Sequence, residues 1–107
     1  MGKSVVATDA EGRRWRKCAA AAIINGAGQI LVGERVKIKG SFNTPQGGFE
    51  EGESALDAAA REAHEEVGLV VGKHIEPVSS MDNAAAVRYE AGGWLTQAGF
   101  AGQQLHW

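Results

Sequence analysis

Three carboxylates, Glu62, Glu65 and Glu66, fall at i, i+3 and i+4 behind a glycine-rich stretch that runs from Gly47 to Gly52. On a helix, residues so spaced share one face within a turn of each other. Like charges in that position repel, so the helix gains nothing locally from the arrangement. A hard divalent cation reverses the sign of that energy, because Mg²⁺ takes carboxylate oxygens and keeps waters and substrate phosphates for its remaining positions. The competing reading is a solvated acidic helix face, the commoner outcome for an isolated Glu-x-x-Glu-Glu.

The wider constellation shifts that balance. Gly47, five residues, Glu53, seven residues, then Arg61-Glu62-Ala63-His64-Glu65-Glu66-Val67-Gly68-Leu69 resembles the Nudix box, Gly-x5-Glu-x7-Arg-Glu-(apolar)-x-Glu-Glu-x-Gly-(apolar). Gly47, Glu53, Arg61, Glu62, Glu65, Glu66, Gly68 and Leu69 match it, and Ala63 stands where the family carries a bulkier apolar residue.

The helix that must carry these groups is well marked. Ser54 is placed as N-cap with Asp57 three residues on, a capping-box variant. Gly68 stands where a left-handed residue ends a helix. Leu56, Ala60, Ala63 and Val67 form an apolar stripe expected to face the core, with the three glutamates about 120° away, looking into a cleft. Upstream, residues 1–16 read as a polar arm, mobile or lying at an edge. Cys18 to Ile24 reads as a strand buried on both faces, Asn25-Gly26-Ala27-Gly28 as a turn, and Gln29 to Val36 as the second strand of a hairpin. Residues 37–43 read as loop. Downstream, Leu69–Val71, Ile75–Val78 and Val87–Tyr89 read as strands, residues 81–86 as loop, and the tail to Trp107 runs into a further strand.

At 107 residues and 44% apolar content the chain has the size and core of one domain over 1–107. A formal net charge of −2 gives no broad attraction to nucleic acid or anionic membrane. Arg13-Arg14-Trp15-Arg16-Lys17 is the basic cluster, and it reads as a solvated surface run. The single cysteine, Cys18, allows no intrachain disulfide and reads as a small buried residue. No apolar stretch reaches membrane-spanning length and no signal-peptide core is visible, so a soluble, cytoplasmic protein is expected, with an organelle left open.

The resemblance implies an α/β (α+β) fold with a mixed β-sheet sandwiched between α-helices. It also implies C-terminal strands and a helix that this chain lacks, so a fragment, or completion by a second copy or partner, is expected. The implied activity is hydrolysis of a phosphoanhydride in a nucleoside diphosphate linked to another group, with Mg²⁺ or Mn²⁺ as cofactor. Glu62, Glu65 and Glu66 would hold the metal, with backbone at Gln46, Gly47 and Gly48 close to it. Glu53 and Arg61 would form a supporting ion pair. The general base stays open, since the family's distal carboxylate usually lies beyond the position of Trp107, and Glu90 is a poor substitute.

Phe42-x-x-Pro45-Gln46-Gly47-Gly48 and Gly102-Gln103 before Trp107 are similar to the branch that acts on dinucleoside polyphosphates and RNA 5′ ends, although Leu105 replaces that branch's second glutamine. The alternatives are a MutT-like hydrolase of nucleoside triphosphates or nucleotide sugars, and a non-catalytic nucleotide- or RNA-binding module. His64, His74 and His106 lack zinc-site spacing, and Trp94 and Phe100 read as core or interface aromatics.

Overall fold

A computed structural model of the chain describes residues 4–36, 38–80, 86–90 and 92–107. Its centre is β2 (Arg14–Ala20), which pairs on both edges. Along one edge lie β1 (Val6–Thr8), against residues 14–16, and β5 (Gln46–Gly48), against residues 18–20, both antiparallel. Along the other lies β7 (Gly102–His106), parallel to β2, and β6 (Val87–Glu90) closes that side antiparallel to β7. A separate two-stranded ribbon joins β3 (Gly33–Glu34) to β4 (Phe42–Asn43). Helix α1 (Ala55–Val67) packs against β2 and β5, and the one-turn α2 (Trp94–Gln97) precedes β7.

Side chains alternate across a strand, so Trp15, Lys17 and Ala19 of β2 share one face while Arg14, Arg16 and Cys18 share the other. The first face carries α1 through a core of Ala19, Phe49 and Ala58, joined by Val5, Ala55 and Ala59. The second carries Cys18, Ala20 and Leu105, with Trp107 packed against them. Trp94 of α2 meets Arg16, so the helices lie on opposite faces of a mixed sheet.

Several elements differ from the sequence expectation. Residues 1–16 are more than an arm, since β1 and the start of β2 fall there, and Trp15 is buried with its indole N–H donated to Asp9 at 3.0 Å. The basic cluster is therefore built into the central strand. The apolar run ends as a strand at Ala20. The Asn25–Gly28 turn forms as expected, with Asn25 Oδ1 accepting from the Ala27 and Gln29 N–H groups, but the hairpin around it shrinks to a bridge between Ile24 and Ile30, leaving Ile24 64% exposed. Phe42 and Asn43 are strand instead of loop. Residues 69–78 form one bridge, Val71 to Ile75, because Gly72 turns the chain at φ 86° and the His74 ring accepts from the Val70 N–H. Lys37 and most of the 81–86 loop lie outside the described residues.

The largest difference is the rotation of α1. Of the expected stripe Ala63 is buried and Ala60 half-buried, but Leu56 and Val67 are 41% and 43% exposed, and the buried face runs instead through Ala58 and Glu62 beside Ala63. Alanine side chains let the helix approach the glycines of β5 more closely than a leucine ridge could, and that approach carries Glu62 inward. The ends match the expectation. Ser54 Oγ accepts from the Asp57 N–H at 3.1 Å, and Gly68 ends the helix at φ 73° with its N–H bonded to His64. Ser54→Ala should cost about 1 kcal/mol in urea unfolding, as loss of one helix cap does.

Candidate active site

The site is assembled where α1 crosses the edge strand β5. Glu62 lies beneath Gly47, and a Cβ on Gly47 would overlap its carboxylate. Glycine is required there because two groups need the same space. Glu66, one turn on, accepts the Gln46 N–H at 3.1 Å, tying the end of the helix to the start of β5.

Arg61 organises the rest. Its Nε and Nη2 both bond Glu53, at 2.8 and 2.9 Å, a bidentate pair. Nη2 also donates to the Gly48 carbonyl at 2.8 Å, and Nη1 to Glu62 at 2.8 Å and Glu65 at 3.3 Å. Glu50 approaches to 3.7 Å. One guanidinium thus holds the loop before the helix, the edge strand and two helix carboxylates. Glu53 in turn accepts the Glu50 N–H at 2.7 Å, closing that loop. Arg61 is held charged by these partners. The Arg61 hydrogen bonds hold the Glu53 carboxyl below its usual range, while burial, reinforced by the charges of Glu62 and Glu65, pushes Glu66 up.

Glu53, Arg61, Glu62, Glu65, Glu66 and the Gln46–Gly48 backbone are therefore neighbours. Glu62 does not look into an open cleft, for it is 8% exposed and paired to Arg61. The Gly48 carbonyl is taken by Arg61. Among the described residues no three acidic, histidine or cysteine side chains converge as a closed ligand set. What stands there instead is a crowded anionic face, and hard oxygen donors of that kind fit a divalent cation.

The chain matches the model of the NUDIX domain over residues 14–97. It belongs to the Nudix family. Among curated relatives, the RNA pyrophosphohydrolase of Erythrobacter litoralis is 34% identical over 105 residues, covering 92% of this chain and 62% of that protein. That of Brucella anthropi is 33% identical over 91 residues, covering 78% and 52%. That of a Psychrobacter species is 44% identical over 61 residues, covering 57% and 34%. The chain thus spans less than two thirds of the length of these relatives. Nudix hydrolases generally work with divalent metal ions. No helix among the described residues is long and apolar enough to cross a membrane.

The remaining expectations sort by burial. His64 is exposed, His106 is buried beside Gln104 at 3.0 Å and against the Phe49 ring, and Cys18 is buried, with its thiol pushed up by burial. Glu90 is exposed and 3.9 Å from Arg13. Phe100 is core, but Trp94 is 56% exposed. Sequence reasoning missed the Gly48 carbonyl as a partner of Arg61 and the contact of Arg16 with Gly48. The alternation of β2, once its start is placed at Arg14, puts Arg16 on the Gly48 side.

Linkage gives the Glu53–Arg61 pair a definite pH window. The folded pKa of Glu53 lies below its unfolded value, so its contribution is complete above the ordinary glutamate pKa of about 4.3 and is lost as pH falls through the lowered value. Urea unfolding followed from pH 6 to pH 3 should show the parent losing stability more steeply than Glu53→Gln, which has no carboxylate to protonate there. Equal slopes would mean that the pair does not persist in solution.

Proposed function

We propose that this chain is the catalytic part of an Mg²⁺-dependent pyrophosphohydrolase acting on the 5′-triphosphate of RNA. The observation that carries the reading is the packed layer Glu53–Arg61–Glu62 beneath Gly47, with Glu65 and Glu66 on the next turn. The relatives named RNA pyrophosphohydrolase support the substrate, as does the Phe42-x-x-Pro45-Gln46-Gly47-Gly48 entry. A cytoplasmic setting belongs to the same reading.

Phosphoanhydride hydrolysis requires neutralised phosphate oxygens, an aligned water and a stabilised leaving phosphate. Held by Glu62, Glu65 and Glu66, the metal would supply that neutralisation and a more acidic water. The chain's own residues do the positioning. Arg61 sets the orientation of Glu62 and leaves Glu65, half-exposed and joined by one longer bond, free to turn toward an incoming group. The Gln46 N–H fixes Glu66, and the bare Gly47 leaves room for the Glu62 carboxylate against the backbone. Supporting carboxylate partners of this kind matter because they hold ligand geometry before the metal arrives.

The test is turnover of a 5′-triphosphorylated RNA and of a dinucleoside tetraphosphate, with Mg²⁺ and with chelator, by the parent and by Glu66→Gln. Mg²⁺-dependent cleavage, faster on the RNA and lower by at least about 100-fold in the variant, is expected, with an unchanged melting temperature within a few degrees. Parent-like turnover by the variant would remove Glu66 from the site. Preference for the tetraphosphate would reassign the substrate within the same branch, and cleavage of neither by folded parent would favour a binding module.

A further inference from the structure

The face of the sheet opposite α1 carries two arginines whose charge no carboxylate among the described residues balances. Arg13 is paired with Asp9 and Glu11, and Arg61 with Glu53, Glu62 and Glu65. Among the described residues neither Arg14 nor Arg16 enters an ion pair. Each is stacked instead on an aromatic ring, Arg14 over Phe100 and Arg16 over Trp94, both at 5.1 Å. Arg16 has a buried Nε without a hydrogen-bond partner, and its guanidinium fills the space beside the Cα of Gly48. Its one polar side-chain contact is Nη1 to Cys18 Sγ at 3.2 Å.

The two rings differ in what they leave open. Phe100 is buried and serves as packing, whereas Trp94 is 56% exposed even with the Arg16 guanidinium against it. An indole backed on one side by a cation and open on the other is a stacking surface, and single-stranded nucleic acids are held by such aromatics beside positive charge. Alternate residues of a strand are about 6.6 Å apart, so Arg16 and Arg14 step away from Gly48 at a spacing comparable with successive phosphates of an extended strand. Gly47 faces Glu62 while Gly48 faces Arg16, and among the described residues β5 pairs only with β2, so its outer edge joins the carboxylate face to the arginine face.

The concavity of about 470 Å³ at the far end of β2 offers no rival site. There Arg13 and Arg88 already lie over Trp15, and Asp9 takes both the indole N–H and Arg13.

We infer that Trp94, backed by Arg16, is a stacking platform for a base of single-stranded RNA, with Arg16 and Arg14 meeting the phosphates that lead away from the 5′ end. The inference rests on the RNA reading above and extends it past the hydrolysed group.

Binding of a fluorescently labelled, 5′-triphosphorylated six-nucleotide RNA, followed by anisotropy in chelator so that no turnover occurs, tests it with the parent, Trp94→Ala, Trp94→Phe and Arg14→Gln. Because Trp94 is exposed, its variants should melt with the parent. Trp94→Ala should weaken binding about 5- to 100-fold and Trp94→Phe much less, since one stacked base contributes on that scale. Arg14→Gln should lower the slope of log affinity against log salt by about 0.7, the value of one single-strand phosphate contact. Tight parent binding unchanged in Trp94→Ala would overturn the platform and leave the proposed activity standing. A folded parent that hydrolyses the RNA with Mg²⁺ yet shows no measurable binding beyond that of free phosphate would overturn the platform alone. A parent that neither binds nor hydrolyses RNA would remove both.

Discussion

The Arg61 guanidinium is the constraint on which the site depends. A planar group with five donors in a fixed fork can satisfy partners in several directions at once, as an ammonium cannot. Here those directions lead to Glu53 in the loop before α1, to the carbonyl of Gly48 in β5, and to Glu62 and Glu65 on the helix. An exposed ion pair contributes less than about 1 kcal/mol, but this one is bidentate and partly buried, and Glu62 depends on it. Without Arg61 the Glu62 carboxylate would sit under Gly47 as a buried charge with no counter-charge, a situation proteins tolerate poorly. The same contacts set where α1 stands relative to β5, so the orientation of the helix and the placement of its acids have one cause.

Small residues make that placement geometrically available. Ala19 of β2, Ala55, Ala58 and Ala59 of α1, and the glycines of β5 bring helix and sheet together with little side-chain volume between them. Close packing of this kind transmits position well, because a methylene added anywhere must displace a neighbour. Two glycines side by side in one edge strand then serve opposite faces, one making room for a carboxylate and the other for a guanidinium. Anionic and cationic surfaces thereby meet along a single half-buried strand, as the proposed action on a phosphorylated polyanion would require.

What the sequence disclosed follows from how local each determinant is. Helix α1 was legible end to end because Ser54 and Gly68 act through their own neighbours. The three glutamates were legible as a group because helical spacing puts them together, and Glu53 and Arg61 joined them only through the resemblance to the Nudix box. The face that α1 buries was legible only in part, at Ala60 and Ala63, since the choice of Ala58 and Glu62 over Leu56 and Val67 is made by the glycines across the interface. The start of β2 was hidden by arginines at 13, 14 and 16, which read as solvent-exposed until their stacking on Trp15, Phe100 and Trp94 is known. Apolar residues from Ile23 to Val36 suggested a hairpin, but with Ile24, Ile30 and Val32 each about half exposed or more, that segment has too little to pack against to hold a long ladder.

The central claim is that Arg61 holds the α1 carboxylates ready for a divalent ion. Mn²⁺ titration monitored by the EPR signal of the free ion tests it most directly, comparing the parent with Arg61→Lys. The account predicts saturable binding by the parent and binding about 10- to 100-fold weaker in the variant, the usual effect of removing a residue that orients metal ligands. Equal Mn²⁺ affinity in the two folded proteins would contradict it, because a single ammonium cannot reproduce the fork that positions Glu53, Gly48 and Glu62 together.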